Sequence, residues 1–318
     1  MPVGKPLDRH PRPQQAGGMT QDITQHLRIF EPHPGILAFY DGRIPGQRFL
    51  PFDNWVDDGA ISLGIASYAI VEGDEALVYD THVSLPHAQA VKDALTARGV
   101  TRFTVVLSHW HLDHVAGTAV FAGSPIIANA RTLAHLTGHK AGIEDGSFHG
   151  LPVIAPLILP DRIFSGRMDL TLGPRRIVLL EANIHSDDAT VLWLPDEGIL
   201  LAGDTVEDCV TYVGEPADFG VHLADLDRLS ALQARHVLPN HGAAEVIAAG
   251  GYGPSLLTAT QTYIRWLQNL QHNSAAAAQP LAEVIETDLQ SGALVWFAPY
   301  ESVHAQNIRR TLALFATP

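Results

Sequence analysis

The chain has 318 residues, with 20 Lys and Arg against 34 Asp and Glu, a formal net charge of −14, 46% hydrophobic and 17% charged residues. That apolar share excludes a disordered acidic chain, the negative charge disfavours a nucleic-acid ligand, and the lone cysteine, Cys209, excludes an intramolecular disulfide or a cysteine-rich metal knuckle. No apolar run approaches the roughly 20 residues of a membrane span, so no membrane role is expected.

Residues 1–18 are rich in Pro, Gly and polar groups without an apolar h-region and read as a flexible leader, which makes the cytoplasm the expected location. From Ile23 to Tyr40 a strand pattern is broken by Pro32, Pro34 and Gly35, and residues 41–59 form a punctuated loop carrying Phe49, Phe52 and Trp55. Two apolar runs follow, "ISLGIASYAIVEG" and "EALVYDTHVS", predicted as adjacent strands joined at Gly73-Asp74. Ala88, Val91 and Leu95 have helical spacing, and Gly99 falls where a helix C-terminus is expected. "FTVVLSH" reads as a buried strand and "VAGTAVFAG" as a short helix. Strands alternating with helices argue for α/β layers.

The second half repeats the theme. "RRIVLLEAN", "ATVLWLP" and "GILLAGDT" are predicted strands, and "LADLDRLSALQA" is a helix before the strand "HVLPNH". "GDEALVYDTH" and "DEGILLAGDT" each lead from an acidic turn through an apolar strand to Asp-Thr, at Asp80 and Asp204. Either short strands coincide by chance or two related halves each deliver an aspartate. Residues 254–318 read as accessory helices packed on the domain formed by 19–253.

The chemistry concentrates in "VVLSHWHLDHVAG", which sets His109, His111, Asp113 and His114 directly after an apolar strand. In extended chain, residues i and i+2 point the same way, so His109 and His111 can chelate one ion while Trp110 and Leu112 pack behind them. Asp113 and His114 follow as the chain turns into a helix and can serve a second point. Three imidazoles and a carboxylate within six residues make poor core material, because each would need its own partner. His185, Asp204 and His241 recur downstream, each at a strand edge. Imidazole and carboxylate suit zinc, and also iron or manganese.

His-x-His-x-Asp-His, then a histidine, then Gly-Asp, then Pro-x-His-Gly resembles the metallo-β-lactamase superfamily of metal-dependent hydrolases, over roughly residues 23–250. The resemblance implies a four-layer αβ/βα sandwich with a two-metal site at one edge, most simply dizinc, here carrying a C-terminal helical extension. By position, His109, His111 and His185 would hold one ion, Asp113, His114 and His241 the other, and Asp204 would bridge them. Asp80 would orient a ligand histidine. Two such ions share a bridging hydroxide that attacks an electrophilic carbon or phosphorus, and Asp113 can aim it or accept its proton.

Gly203-Asp204 resembles the glyoxalase II, lactonase and phosphodiesterase branches more than the antibiotic-cleaving one, so the expected substrate is a small-molecule ester, lactone or thioester. Quorum-signal lactonases often carry a tyrosine three positions after the bridging aspartate; here that position is Glu207, and the nearest tyrosine is Tyr212. The Phe49, Phe52 and Trp55 loop is either a lid or satellite core. Tyr300 and His304, spaced i,i+4, are candidates for a pocket wall. The alternatives are a mononuclear-iron oxidoreductase of the persulfide dioxygenase kind on the same scaffold, and β-lactamase or phosphodiesterase activity. A homodimer is compatible with the sequence.

Overall fold

The computed structural model describes residues 23–315. The expected leader, residues 1–18, lies outside the described residues. Strands β1 (Arg28–His33) and β2 (Ile36–Asp41) form an antiparallel hairpin about Pro34-Gly35. β3 (Ile65–Glu72) and β4 (Glu75–Tyr79) form a second, turning at Gly73. α1 (Leu85–Ala97) then crosses to β5 (Arg102–Val106), parallel to β4. The Ser84 side chain caps α1 by accepting from the His87 amide, and Gly99 follows its end at φ +92°. The expected helix at 115–123 is two single turns, α2 (Leu112–Val115) and a 3-10 turn at Thr118–Phe121.

Next come β6 (Ile126–Asn129), α3 (Ala130–Asp145), β7 (Arg162–Phe164) and β8 (Arg167–Leu172). The second half continues with β9 (Arg175–Ala182), β10 (Ala189–Leu194) and β11 (Ile199–Gly203). α4 (Phe219–Ser230) then leads to β12 (His236–Pro239). The segment after residue 243 is helical: α5 (Ala244–Ala248), α6 (Ser255–Asn269), α7 (Leu281–Val284), α8 (Glu286–Gln290) and α9 (Tyr300–Phe315). Among the described residues no helix is long and apolar enough to cross a membrane.

The strands make a seven-stranded sheet, β1 to β7 in chain order, and a five-stranded sheet ordered β12-β11-β10-β9-β8. β2 is buried on both faces, as a central strand between two layers must be. Its Ile36, Ala38 and Tyr40 share the core between the sheets with Leu179, Val191 and Leu201. Its Leu37 and Phe39 pack outward with Val91 and Leu95 of α1 and Leu136 of α3. On the far side of the second sheet, Leu226 of α4, Ile264 of α6 and Tyr300 and Ile308 of α9 continue the inter-sheet cluster. The layers therefore run helix, sheet, sheet, helix, and the C-terminal helices share the main core.

The echo between the halves has a structural counterpart. β3-β4 and β10-β11 are antiparallel pairs, and α1 and α4 each lead to a strand parallel to the second member, β5 and β12. Asp80 and Asp204 leave the ends of the matching strands β4 and β11. At that edge the sheets are tied by buried tyrosines. Tyr40 donates to the Gly242 carbonyl (2.8 Å), Tyr68 to that of Pro239 (2.5 Å) and Tyr79 to that of Thr190 (2.5 Å). A buried phenol needs such a partner, and these three find theirs across the sandwich.

Candidate metal centre

Every candidate donor sits just past a strand end on this tied edge. β5 ends at Val106, and extended chain then carries His109 and His111 to the same side, with His109 Nε2 2.9 Å from His111 Nδ1. α2 begins at Leu112 and turns Asp113 and His114 inward. His185 comes from the β9–β10 connection, Asp204 from the end of β11 and His241 from the end of β12.

The donors converge. His185 Nε2 is also 2.9 Å from His111 Nδ1. Asp204 Oδ2 lies 3.1 Å from His114 Nε2, 3.5 Å from His241 Nε2, 3.6 Å from His185 Nε2 and 3.7 Å from His109 Nε2. One carboxylate oxygen thus stands among four imidazole nitrogens. Asp113 completes the ring, with Oδ1 3.6 Å from His114 Nε2 and Oδ2 3.4 Å from His241 Nε2. Four overlapping groups could hold an ion: His109/His111/His185, His109/His114/Asp204, Asp113/His114/His241 and His185/Asp204/Glu207; the first and third are the two sets expected from the sequence.

The outward ring nitrogens are held by other groups. His114 Nδ1 donates to Asp80 Oδ2 (2.9 Å), and Asp80 also accepts from the Ser108 amide (2.6 Å) and Asn240 Nδ2 (2.6 Å). His241 Nδ1 donates to the Gly64 carbonyl (2.7 Å). His109 Nδ1 pairs with Ser108 Oγ (2.8 Å), whereas His185 Nδ1 lies 3.3 Å from Glu207 Oε1 without forming a hydrogen bond. With protons on those outer nitrogens, the inner ones present lone pairs to the centre. His111 Nδ1 faces two such nitrogens, and one proton cannot serve both contacts. Asp204 Oδ1 is buried without a hydrogen-bond partner. Divalent cations would satisfy these lone pairs together, so the residues fit a metal.

The electrostatics divide the cluster. Burial pushes His109 well below the usual imidazole range and His111 down to about 3, with the neighbouring imidazoles adding to the effect. Both rings are therefore neutral and available as ligands. For His114 and His241 burial acts the same way, but the carboxylates of Asp204 and Asp113 outweigh it and raise both. Asp204 and Asp113 are correspondingly held below the carboxylate range, against burial, chiefly by the facing histidines.

Two backbone features serve this geometry. Asp80 adopts φ +66°, a region aspartate tolerates better than most residues, and this turns its carboxylate under His114. Gly64 has φ +75°, and a Cβ there would collide with the Tyr40 hydroxyl. Only glycine lets this segment pass Tyr40 and present its carbonyl to His241.

Glu207, a candidate pocket residue, reaches the cavity but is largely enclosed. It faces His185, accepts from the Tyr212 amide (3.0 Å) and Thr211 Oγ1 (3.1 Å), and takes a hydrogen bond from Tyr300 OH (3.1 Å). A cavity of about 280 Å³ opens above the cluster, and Trp55 and Tyr212 line it. Four other candidates do not. Phe49 packs with Val56 and Ile61 in a satellite cluster, and Phe52 projects into solvent. Tyr300 and His304 do share a face of α9, but it is turned to the core. Tyr300 lies beneath Glu207, while His304 accepts from Tyr263 OH (2.9 Å) and donates to the Gln279 carbonyl (3.1 Å). Val303 and Gln306, one step around the helix, line the cavity instead.

Trp110 and Leu112, expected to pack behind the histidines, also line the cavity. Trp110 stacks on His135 and His139 of α3 at 5.0 Å each, which turns its other surface outward. Ser108, Asn240, Gly64 and Phe148 were not singled out in the sequence. Ser108 and Asn240 adjoin ligand histidines, which was the available signal; nothing local marks Gly64 or Phe148. Cys209 is buried against the Val295 carbonyl, and burial pushes its thiol up to about 12, leaving it inert.

The profile of the metallo-beta-lactamase superfamily matches residues 62–250. A linear primary-alkylsulfatase of a Pseudomonas species is 25% identical over 177 residues, 43% of this chain and 34% of that protein. A hydroxyacylglutathione hydrolase of Rhodobacter capsulatus is 26% identical over 140 residues, 44% of this chain and 48% of that protein. The matched region thus spans half or less of these curated relatives. The solved metallo-beta-lactamase from Pontibacter korlensis superposes with a TM-score of 0.57 at 16% identity, over 75% of this chain and 99% of that one. With the profile covering more than half of its length and the layered fold shared, this chain belongs to the metallo-beta-lactamase superfamily.

Proposed function

We propose that the protein is a dinuclear metallohydrolase that cleaves an ester, lactone or thioester bond of a small molecule. The observation that carries this reading is the position of Asp204 Oδ2 among the inner nitrogens of His109, His114, His185 and His241. A single-ion site would leave the second triad, Asp113/His114/His241, without a use. In this reading His109, His111 and His185 would hold one ion and Asp113, His114 and His241 the other, with Asp204 in reach of both sets; zinc suits this donor set first. When bound, such ions supply Lewis acidity and an activated water near neutral pH.

The chain's own groups do the rest. Asp113, kept ionised by His114 and His241, accepts a hydrogen bond from the attacking water and orients it toward the substrate carbonyl. Asp80 and Gly64 hold His114 and His241 so that their lone pairs face the centre, and Glu207 lies beside His185. Tyr212, edge-on to His185 at 5.7 Å between rings, is the phenol nearest the donors on the cavity wall and is suited to donate its proton to a substrate oxygen. Trp55 and Trp110 cover the substrate body and exclude water. A relative named for hydrolysis of an acylglutathione supports the thioester class.

The test is a panel of lactones, thioesters, β-lactams and phosphodiesters against zinc- and manganese-loaded protein, with metal content measured in parallel. About two ions per chain and turnover of the carboxylic substrates are expected. His111→Ala should lose both metal and turnover; full turnover in that variant overturns the assignment.

A further inference from the structure

Above the donors the cavity changes character. Its upper wall is aromatic: Trp55, Trp110, Phe148 and Tyr212. These rings are braced. Trp55 Nε1 donates to the Pro152 carbonyl (2.9 Å), and Trp110 lies on His135 and His139 with Phe148 at 5.6 Å. Among the described residues no lysine or arginine lines the cavity. Arg310, outside the lining, sits over the Tyr212 ring and donates to the Gly214 carbonyl. Two exposed titratable groups line the cavity, His149 and Asp58, and no side-chain partner for Asp58 is present among the described residues.

We propose that this cavity admits substrates whose acyl portion is apolar and uncharged or cationic, and turns away those whose acyl portion is anionic. The identity of the reaction rests on the hydrolase reading above; the selection by charge rests on the wall alone. An anionic group here loses water against indole and phenyl faces, meets no lysine or arginine in the wall and faces Asp58, and each of these costs free energy. A cationic group meets the negative faces of the same rings, which attract it. Ions held at the floor would sit at the scissile bond, away from the far end of the acyl group.

Three 4-nitrophenyl esters of 3-phenylpropanoic acid test this, with the ring carrying tert-butyl, trimethylammonio or sulfonato at the para position. The first two groups are nearly equal in shape, so charge is the variable. Zinc-loaded protein at about pH 8 is assayed for kcat/KM. The matching 4-nitroanilides, which resist cleavage, are titrated by quenching of tryptophan emission. The sulfonate should be at least about 20-fold poorer than the tert-butyl compound in both readouts, and Asp58→Lys should raise the sulfonate-to-tert-butyl ratio about tenfold. A sulfonate within about threefold of the tert-butyl compound in both readouts overturns the proposal, well below the like-charge penalty expected. If the esters are cleaved without order by charge, the hydrolase reading stands and the selection fails. If the esters are inert but the anilides sort by charge, the selection stands and the hydrolase reading fails.

Discussion

Asp80→Asn isolates the role of a carboxylate that touches none of the chemistry. Asp80 is fully buried and accepts three hydrogen bonds, from the Ser108 amide, Asn240 Nδ2 and His114 Nδ1. Asparagine matches its size and tolerates its positive φ, so the backbone cost is small. The amide has only one acceptor oxygen. If that oxygen stays with Ser108, the new NH₂ faces the donors of Asn240 and His114. His114 then relieves the clash only by moving its proton to Nε2, which aims an N–H instead of a lone pair at Asp204 and the centre. Each buried donor left unpaired costs about 1–3 kcal/mol, so a drop in melting temperature is expected. A ligand histidine in the wrong tautomer should weaken its ion about 10- to 100-fold. The loss should fall on the site that uses His114 and spare the one built from His109, His111 and His185. Chelator competition with stoichiometry by mass spectrometry reads this directly: at limiting chelator the variant keeps one ion where the parent keeps two. Retention of both ions at the parental affinity would refute the reasoning.

Three further predictions concern the frame of the site. Burial pushes Asp208 up to about 6, and as a carboxyl with a raised pKa it contributes stability below its unfolded value, lost as pH rises through about 6. Above that pH the buried charge costs about 3 kcal/mol, so Asp208→Asn should gain melting temperature relative to the parent at pH 8 but not at pH 4; a pH-independent difference contradicts this. Gly64→Ala should destabilise by about 3 kcal/mol or more in urea titration, because strained φ and the Tyr40 collision add, and unchanged stability would show the segment to be pliant. Tyr300→Phe removes the hydroxyl that holds Glu207 and should lower kcat several-fold with KM nearly constant, since Tyr300 lies outside the cavity; a change confined to KM would instead make it a substrate contact.

The donor set was legible because each of its members sits beside a strand whose apolar run is unmistakable, and because clustered histidines have few other uses. β4, β5, β11 and β12 lie in the same runs, but each strand ends two to five residues before its run does. The segment from 124 to 172 was not legible. α3 carries Gly138 and Gly142 and buries only Thr132, Leu136 and Ile143, and β7 and β8 alternate with exposed charges, so neither periodicity rises above its surroundings. The cavity wall escaped for another reason. Trp110 faces outward because α3 offers it His135 and His139 to lie on, a contact between segments that spacing along the chain does not encode. On α9 the shared face of Tyr300 and His304 was readable, but its direction depended on where the helix docks.

The phenols of Tyr40, Tyr68 and Tyr79 have a consequence for how the centre responds to stress. His109, His111, Asp113 and His114 ride on one sheet, whereas His185, Asp204 and His241 ride on the other. The three phenols act with backbone hydrogen bonds from Ala66 to Asn240 and from Thr190 to Ser108 (2.7 Å each) to fix the offset between these two slabs. Shear of the sandwich would therefore alter the aperture between the two groups of candidate donors, and cation affinity should serve as a gauge of how well the slabs stay in alignment under heat, pressure or a distant substitution.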